Sequence, residues 1–347
     1  MQLKINKMRI FLPFLVFGFA IVNLNLFAQK NTNIAVIGFY NVENLFDTDD
    51  DPITNDSQFL PNGDYQWTPE RYQTKLENLS KVISLIAKEK GGVALLGLSE
   101  IENEKVMNDL VQTEKLKPFN FGVVHHDSPD RRGVDVGLIY QKDRFRVLGQ
   151  KAYELKTNDT NFITRDQLLI TGIIDGTDTL HIIVNHWPSK IGGEKLSMPK
   201  RIAAALLSRH IADSLMAVNP LAKVIIMGDL NDNPNSKSIT EYLKAKHKIS
   251  ELMINDLYNP MWKLYRDGIG SYAYRDSWDM IDNIIISYGL VNPPEGSYKY
   301  SGVDIFRAGF LLTPSGSFIG YPYRTYAGGS YIGGYSDHLP VFITIQK

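Results

Sequence analysis

The chain has 347 residues, a formal net charge of −1 and no cysteine. The lack of cysteine excludes disulfide bridges and a lipid anchor on cysteine, so the fold has to rely on a large apolar core. The near-neutral charge argues against a protein that holds long duplex nucleic acid through a broad basic surface.

The first 28 residues have the pattern of a secretory signal peptide. Three basic residues precede an almost entirely apolar run at residues 10–27, and cleavage is expected between Ala28 and Gln29. The run is short for a membrane span and polar chain follows at once, so a cleaved signal is favoured over an uncleaved anchor. We therefore expect a periplasmic or secreted bacterial protein without stable membrane insertion after cleavage. Its mature part, 29–347, carries a charge of about −4.

Apolar runs bounded by turn residues predict the strands that follow. They lie at residues 34–40, 93–98, 134–140, 167–174, 180–184, 224–227, 281–287 and 341–345. Residues 47–66 are acidic and rich in turn formers, which predicts a long surface loop. Residues 288–335 are rich in glycine, proline, tyrosine and serine.

Helices are predicted over residues 68–90, from 103 to about 115, and from near Ser197 onward. The apolar face of the third helix is expected to consist of Ile202, Leu206, Leu207, Ile211 and Leu215. Many strands, two long helices and no break in composition favour one domain, residues 29–347, with two packed sheets and helices outside them. The alternation of strands with hairpin signals disfavours a purely parallel, doubly wound sheet.

Polar segments lie at or near the ends of these apolar runs, four after a run and one just before the last run. They are Tyr40-Asn41-Val42-Glu43-Asn44, Ser99-Glu100-Ile101-Glu102, Asn185-His186-Trp187-Pro188, Gly228-Asp229-Leu230-Asn231 and Ser336-Asp337-His338. Carboxylates, amides and two histidines gathered at strand ends are typical of a metal-assisted site that cleaves phosphate esters.

Asp229 and Asn231 lie two residues apart at the end of a buried strand, so an extended backbone puts both side chains on one side. The aspartate offers an anionic oxygen to a hard cation or to water, and the amide offers a donor to a phosphate oxygen. An ordinary turn is the alternative explanation, because both residue types favour turns.

Glu100 ends an apolar strand, where a carboxylate is costly to bury unless it is paired or bound to metal. Magnesium typically takes one or two protein carboxylates together with water and substrate phosphate. A glutamate exposed at the rim is the alternative. Glu43 and Glu102 are expected to be solvated or to lie behind the metal ligands.

His186 and His338 each follow an apolar run or precede one, where an imidazole can donate to a phosphate oxygen near neutral pH. Asp282 is the candidate that orients His338 through its other ring nitrogen, in the manner of a catalytic triad aimed at water. A structural role is the alternative for each histidine. The remaining histidines are expected to be structural or on the surface: His125, His126, His181, His210 and His247.

Together these segments resemble the endonuclease/exonuclease/phosphatase superfamily, which has the deoxyribonuclease-I-like fold. The most specific motifs are GDLN (228–231) and SDH (336–338), supported by YNVEN (40–44) and SEIEN (99–103). The resemblance extends from Asn41 to His338. It implies an α+β protein, a four-layer αββα sandwich of two mixed, mainly antiparallel sheets with outer helices.

The resemblance also implies roles for the residues that match its motifs. Asp229 would orient or deprotonate the attacking water, and Asn231 would bind the phosphate and its transition state. His338 would be the catalytic histidine, with Asp282 as its orienting partner. His186 matches a second histidine that some branches of the family replace with an amide. The general base stays open between an aspartate and a histidine.

Three residues correspond to the metal side of such a site: Asn41, Glu100 and Asp337. Their donors are all oxygen atoms, which favours Mg²⁺ over zinc, with Mn²⁺ or Ca²⁺ as alternatives. Arg165 and the pair at 131–132 match the cationic positions only loosely. The implied reaction is in-line attack of water on phosphorus, assisted by the metal and by hydrogen-bond donors.

Three hypotheses follow for the function. The first is an exported, metal-dependent phosphodiesterase, a monomeric nuclease that acts on DNA or RNA. The second is a phosphatase or phosphodiesterase of inositol or lipid phosphate esters, which the acidic balance of the mature chain favours. The third, and the weakest, is a non-catalytic binding module that has kept the fold.

Overall fold

The structure of the protein, a computed structural model, describes residues 33–157, 159 and 161–347. The signal peptide expected at residues 1–28 and its cleavage point lie outside the described residues. Within the part of the chain that the structure describes, no helix combines the length and the apolar character needed to cross a bilayer.

The strands in chain order are β1 (Ile34–Leu45), β2 (Val93–Ile101), β3 (Phe121–His125), β4 (Asp135–Gln141), β5 (Phe145–Tyr153), β6 (Gln167–Ile174), β7 (Asp178–His186), β8 (Lys223–Asp229), β9 (Ala245–Lys246), β10 (Leu257–Tyr258), β11 (Tyr272–Tyr274), β12 (Ser277–Asp279), β13 (Asp282–Ser287), β14 (Lys299–Ile305), β15 (Tyr326–Ala327), β16 (Ser330–Tyr331) and β17 (Val341–Gln346). The α-helices are α1 (Pro69–Leu85), α2 (Glu104–Val111), α3 (Glu194–Val218), α4 (Met261–Arg266) and α5 (Tyr288–Val291).

Two large sheets form the body of the protein. The first has the strand order β14-β17-β1-β2-β4-β3, and the second has the order β5-β6-β7-β8-β13-β10-β9. Within them, β1 runs parallel to β2, β7 to β8 and β9 to β10, and the other neighbouring strands are antiparallel. The sheets are therefore mixed and mainly antiparallel, as the resemblance implied.

Three apolar cores separate four layers of secondary structure. Successive side chains of a strand point to opposite faces, so β1 contributes to two of these cores. Ile37 and Phe39 pack between the two sheets, whereas Val36 and Tyr40 pack against α1 and α2. The third core lies between the second sheet and α3, where Ala205 is fully buried. This layering confirms the αββα sandwich.

The first long helix begins as the sequence predicted. The Thr68 hydroxyl accepts a hydrogen bond from the Arg71 N–H at 3.4 Å, and Pro69 and Glu70 occupy the first turn. Such a cap satisfies one of the free N–H groups at the helix start, while the acid complements the helix dipole. The helix ends at Leu85, earlier than expected.

The buried face of α3 agrees only in part with the predicted one: Ile211 is buried, and Leu207 and Leu215 pack against the core beneath the helix. Leu206 is 50% exposed, whereas Ala205 and Ser208 are buried. The Ser208 hydroxyl lies 2.8 Å from Gln167 Oε1 and 3.1 Å from Asn185 Oδ1, both in the second sheet. Small and hydroxylated residues let this part of the helix approach the sheet closely enough for these hydrogen bonds, while Leu206 faces away from the sheet.

Candidate active site

The polar residues predicted from the sequence lie at neighbouring strand ends. His186 and Asp229 are the last residues of the parallel strands β7 and β8, and they are register partners. Asp282 begins the antiparallel strand β13 and pairs with Asp229 from the other side. In the first sheet, Asn41 of β1 is the partner of Ser99 of β2. Strand pairing alone thus brings an imidazole and two carboxyl groups together.

His338 and Asp282 form a buried pair. Nδ1 of His338 lies 2.7 Å from Oδ2 of Asp282, which fixes the tautomer and points Nε2 into the site. Burial alone would lower the pKa of His338, but the charge and hydrogen bond of Asp282, helped by Asp337 and Asp229, raise that pKa well above its usual value. His338 is therefore an imidazolium at neutral pH and can donate a proton or a hydrogen bond at Nε2.

Asp229 lies at the centre of the site. Its Oδ2 accepts a hydrogen bond from Asn41 Nδ2 at 3.1 Å, and its Oδ1 accepts one from the Asn231 N–H at 2.9 Å. Nε2 of His338 is 3.9 Å from the same Oδ2, which is too long for a hydrogen bond. Burial raises the pKa of Asp229 to about 7, although His338 opposes the shift. A carboxyl group with such a pKa is suited to orient water or to accept a proton from it.

The pKa of His186 is shifted in the opposite direction from that of His338. Its Nε2 lies 3.6 Å from Asp229 Oδ2 and 3.8 Å from Glu100 Oε1. Burial lowers the pKa of His186 well below its usual value, and the positive charges of Arg165 and Arg132 lower it further. The ring is therefore neutral at neutral pH and can donate one hydrogen bond without carrying charge.

Asn231 is held by the turn that follows β8. Its φ of 52° lies in the left-handed region, which asparagine tolerates better than most residues. Its Nδ2 donates to the Trp187 carbonyl at 3.0 Å, which orients the amide. Gly228 precedes this turn, and a Cβ at that position would collide with the carbonyl oxygen of Asn185 on β7. The GDLN motif thus combines a close strand contact with a fixed amide.

Two of the three residues predicted for the metal side, Asn41 and Glu100, accept a hydrogen bond from a backbone N–H. Asn41 Oδ1 accepts from the Glu43 N–H at 3.0 Å, and Glu100 Oε2 accepts from the Asn44 N–H at 3.1 Å. Glu100 has a φ of 61°, a strained conformation for a residue with a long side chain. Asp337 is partly exposed, and its Oδ1 lies 3.9 Å from His338 Nε2.

Two cations lie beside these carboxylates: Lys75, which was not predicted from the sequence, and Arg324 of the tyrosine-rich segment 288–335. Lys75 of α1 is almost fully buried, with its Nζ 3.6 Å from Glu43 Oε2, and Arg324 Nη2 lies 3.4 Å from Asp337 Oδ2. Burial and the nearby charge of Asp337 raise the pKa of Glu43 to about 7, although Lys75 opposes the shift. Glu43, Glu100 and Asp337 outnumber these two cations. An excess of carboxylate oxygen fits a hard divalent cation.

A compact group of carboxyl and imidazole atoms lies in the site, and it does not include the residues predicted for the metal side. One atom from each of Asp229, Asp282 and His338 lies within 4.8 Å of the other two. Neither Glu100 nor Asp337 joins a group of this kind among the described residues. The structure therefore gathers three of the predicted catalytic residues, Asp229, Asp282 and His338, into one compact buried group.

Ser336 links the last motif to the first. Its hydroxyl donates to the Asn41 carbonyl at 2.7 Å and accepts from the His338 N–H at 3.1 Å. These two bonds hold Asp337 and His338 against the end of β1. Ser336 belongs to the SDH motif, but its role was not predicted from the sequence. A hydroxyl two residues before a functional histidine is the only sequence signal for this contact.

Glu102 and Arg165 do not face the site as free charges. Glu102 is buried, and its Oε2 accepts from the Asp47 N–H at 2.7 Å, while burial raises its pKa to about 8. Arg165 donates from Nη1 to Asp130 Oδ2 and from Nη2 to the Trp187 carbonyl, each at 3.0 Å. Arg165 is therefore already bonded inside the protein and supports the turn that orients Asn231.

A second group of a histidine and carboxylates lies on β3 and β4. His125 Nε2 is 3.0 Å from Asp135 Oδ2, and its Nδ1 is 3.6 Å from the exposed Asp127. The other oxygen of Asp135 accepts hydrogen bonds from both the backbone N–H and the hydroxyl of Ser128. Both oxygens of Asp135 are thus used within the protein, which agrees with the structural role expected for His125.

Comparison with known proteins identifies the family. A family model described as endonuclease/exonuclease/phosphatase family matches residues 36–347. The chain belongs to this family, and it is accordingly a phosphoric ester hydrolase of a divalent-metal-dependent type. A search of curated proteins gives no match.

Solved structures share the fold at low sequence identity. Humanized D. rerio TDP2 with 14 mutations has a TM-score of 0.55 at 12% identity, covering 91% of this chain and 100% of that one. D. rerio TDP2 complexed with a single strand DNA product has a TM-score of 0.53 at 12% identity, covering 90% and 99%. An endonuclease/exonuclease/phosphatase family protein from Bacteroides thetaiotaomicron has a TM-score of 0.53 at 14% identity, covering 91% and 98%. These similarities establish the fold.

Proposed function

We propose that this protein is a magnesium-dependent nuclease that hydrolyses phosphodiester bonds of DNA or RNA. The observation that carries the proposal is the buried group of Asp282, His338 and Asp229. In it an imidazolium and a carboxyl group with a pKa of about 7 face each other across 3.9 Å. Attack of water on a phosphodiester requires one group that accepts a proton and another that donates one, and Asp229 and His338 match these two roles.

Asn41, Glu100 and Asp337 are the residues that we propose to hold the metal. Their donors are all oxygen and lie within an excess of carboxylate charge, which fits Mg²⁺ and also accommodates Mn²⁺ or Ca²⁺. When bound, the ion would neutralise charge on the non-bridging and leaving oxygens of the phosphate.

The protein groups supply the rest of the chemistry. The oxygen of water forms a bond to phosphorus while the ester P–O bond breaks, and Asp229 takes the proton from that water. The protonated state of His338 supports Asp229 as the base, because an imidazolium has no free lone pair to accept a proton. His338 Nε2, the Asn231 amide and neutral His186 would donate hydrogen bonds to the oxygens on which negative charge increases.

Nucleic acid is the substrate class that we favour. D. rerio TDP2, which shares the fold, was solved with a single strand DNA product. The alternative is a small, inositol or lipid phosphate ester, which the charge of about −4 on residues 29–347 favours. The two alternatives differ in the alcohol attached to phosphorus, so a substrate panel separates them.

The mature protein should be tested on plasmid DNA, single-stranded DNA, RNA, inositol phosphates and sphingomyelin, with Mg²⁺ and with a chelator. We expect cleavage of nucleic acid with Mg²⁺, none with the chelator, and loss of cleavage in Asp229→Ala. The Asp213→Ala variant, which changes a half-exposed aspartate of α3 outside the site, is the control and should keep its rate. Intact nucleic acid together with a cleaved lipid or inositol ester would reject the nuclease proposal.

We further propose that the protein is exported and acts as a monomer. The basic and apolar pattern of residues 1–28 supports export. Sequencing of the N-terminus of the protein from its native cell should give a start near Gln29, and sedimentation should give the mass of one chain. An intact Met1 in the membrane fraction would contradict export, and a sedimenting dimer would contradict the monomer.

A further inference from the structure

We propose that a cleft beside the candidate active site binds an unpaired nucleotide next to the scissile phosphate, holding its base by stacking on aromatic side chains. The inference rests on the proposed function and extends it, because it selects single-stranded nucleic acid over duplex and over lipid. The cleft is formed by β11 with the turn that follows it and by residues 313–332. It has a volume of about 780 Å³, within the range of sites that enclose small organic ligands.

The two walls of the cleft are joined to each other. The Tyr321 hydroxyl donates to Asp276 Oδ1 at 2.7 Å and accepts from the Asp276 N–H at 2.6 Å. This contact ties the turn after β11 to the 313–332 segment. The cleft is therefore a formed feature of the fold and does not depend on one loop alone.

Two residues that line the cleft also contact the candidate active site. Tyr272 lines it, and the Tyr272 ring lies 4.9 Å from the His338 ring between centroids. Arg324 also lines it, and its Nη2 is 3.4 Å from Asp337 Oδ2. A phosphodiester placed at His338 would therefore extend its next residue into the cleft. An adjacent phosphate would lie within reach of the Arg324 guanidinium, most of whose donors remain available.

Exposed aromatic rings are concentrated in this cleft. Tyr274 and Phe318 are each 53% exposed, and no other phenylalanine, tyrosine or tryptophan among the described residues is exposed to this extent. Both line the cleft. Exposed rings gathered at one place favour a ligand with flat apolar faces, and nucleobases stack on such rings regardless of their sequence.

The charges of the cleft favour a single strand over a duplex. Arg275 and Arg324 are the cations that line it, and no lysine is among its lining residues in the described chain. Duplex binding draws most of its affinity from many phosphate contacts, whereas two arginines provide few. Stacking is then the larger contribution, and only an unpaired base offers its faces to a side chain.

Binding of a fluorescein-labelled octathymidylate, followed by anisotropy in the presence of a chelator to prevent cleavage, tests the proposal. Phe318→Ala and Tyr274→Ala should each weaken binding by about 5- to 100-fold, the range expected for loss of one stacked base. Leu148→Ala, which removes an equally exposed apolar side chain on β5, should bind as the wild type does. A duplex of the same length should bind more weakly than the single strand.

Two further variants separate stacking from simple apolar contact. Phe318→Trp keeps a flat ring and should bind at least as tightly as the wild type, whereas Phe318→Leu keeps apolar area but no ring face and should bind as weakly as Phe318→Ala. Full binding by Phe318→Leu, an unchanged dissociation constant in both alanine variants, or tighter binding of duplex would each overturn the proposal.

The outcome can be told apart from a failure of the proposed function. Hydrolysis of bis(4-nitrophenyl) phosphate with Mg²⁺ by the wild type tests the function alone. If the wild type hydrolyses this diester but the cleft variants bind the oligonucleotide as tightly as the wild type does, the cleft proposal is overturned. The proposed function is then still supported. A lipid site would show as binding to phosphatidylcholine–sphingomyelin vesicles that Phe318→Ala abolishes while oligonucleotide binding stays unchanged, and this result also counts against the proposal.

Discussion

The groups around His338 and His125 contain the same residue types but differ in how their hydrogen bonds are used. In both, one ring nitrogen meets a buried aspartate, at 2.7 Å for Asp282 and at 3.0 Å for Asp135. The second nitrogen of His338 faces Asp229 across 3.9 Å, inside the site. The second nitrogen of His125 faces an exposed aspartate at the surface.

The difference shows that residue composition alone does not define a catalytic site. The second oxygen of Asp135 accepts hydrogen bonds from Ser128. Both oxygens are therefore bonded within the protein, and the group stabilises the local structure. The group at His338 has a donor directed at a second buried carboxylate without bonding to it, and amide donors stand beside it. Catalytic groups have to be held in a fixed orientation and must still have a hydrogen-bond donor or acceptor available for the substrate. Variants of the two groups can therefore test the comparison.

The largest expected effect comes from removing the imidazole of His338, and the same change at His125 is its control. His338→Ala should lower kcat/KM for a phosphodiester by about 10²- to 10⁴-fold, because it removes the charged donor. His125→Ala should stay within a few-fold of the wild type. Initial rates on the same substrate, with circular dichroism to verify folding, measure both. Equal losses in the two variants would remove the distinction between the groups.

The next effect comes from the aspartate that orients His338. Asp282→Asn should lower kcat/KM by about 10- to 1,000-fold, since a neutral amide does not stabilise the imidazolium as the carboxylate does. Because Asp282 raises the pKa of His338, the wild type loses its imidazolium only as pH rises through that raised value. Without the carboxylate this pKa falls, so the alkaline decline of activity should move to lower pH. If the activity of Asp282→Asn declined at the same alkaline pH as that of the wild type, this role would be contradicted.

The matching change in the other group should act on stability instead. Asp135→Asn leaves a buried amide among donors that need an acceptor, which should lower the free energy of unfolding by about 1–3 kcal/mol. Urea denaturation measures this loss, and kcat/KM should remain near the wild-type value. A large fall in activity without a fall in stability would show that the second group also takes part in catalysis.

The smallest effect is expected for Ser128→Ala. It removes one hydroxyl donor to Asp135 and retains the backbone donor, so the free energy of unfolding should fall by about 0.5–1.5 kcal/mol. Urea denaturation beside the wild type measures the change. A loss as large as that of Asp135→Asn would show that the hydroxyl, and not the histidine, is the main partner of the carboxylate.

Much of the fold could be predicted because its central strands are apolar runs that end in polar residues. The strand at 167–174 has the predicted bounds, and β7 and β8 extend the predicted strands by only a few residues. Outer strands such as β5 and β14 were not predicted. Their exposed residues weaken the apolar pattern, and β14 lies within a segment dominated by turn formers.

The catalytic half of the site could also be predicted, because its residues lie at the ends or just before the starts of apolar strands. The pairing of Asp282 with His338 was expected from the need to orient an imidazole, and the two atoms lie at hydrogen-bond distance. Lys75 could not be predicted. A lysine in an amphipathic helix usually faces solvent, and only the fold shows that this one is buried beside Glu43. Arg324 lay in a segment without a clear pattern.

The left-handed backbone at Glu100 has a consequence for engineering. A non-glycine residue with a φ of 61° destabilises the folded chain by about 1–2 kcal/mol relative to a relaxed one. Glu100→Gly could therefore raise the melting temperature while removing a proposed metal ligand. Selecting a library of variants for heat resistance alone would favour glycine at position 100, and the selected proteins would lack a proposed metal ligand. A thermostable variant of this protein should be sought with Glu100 kept constant.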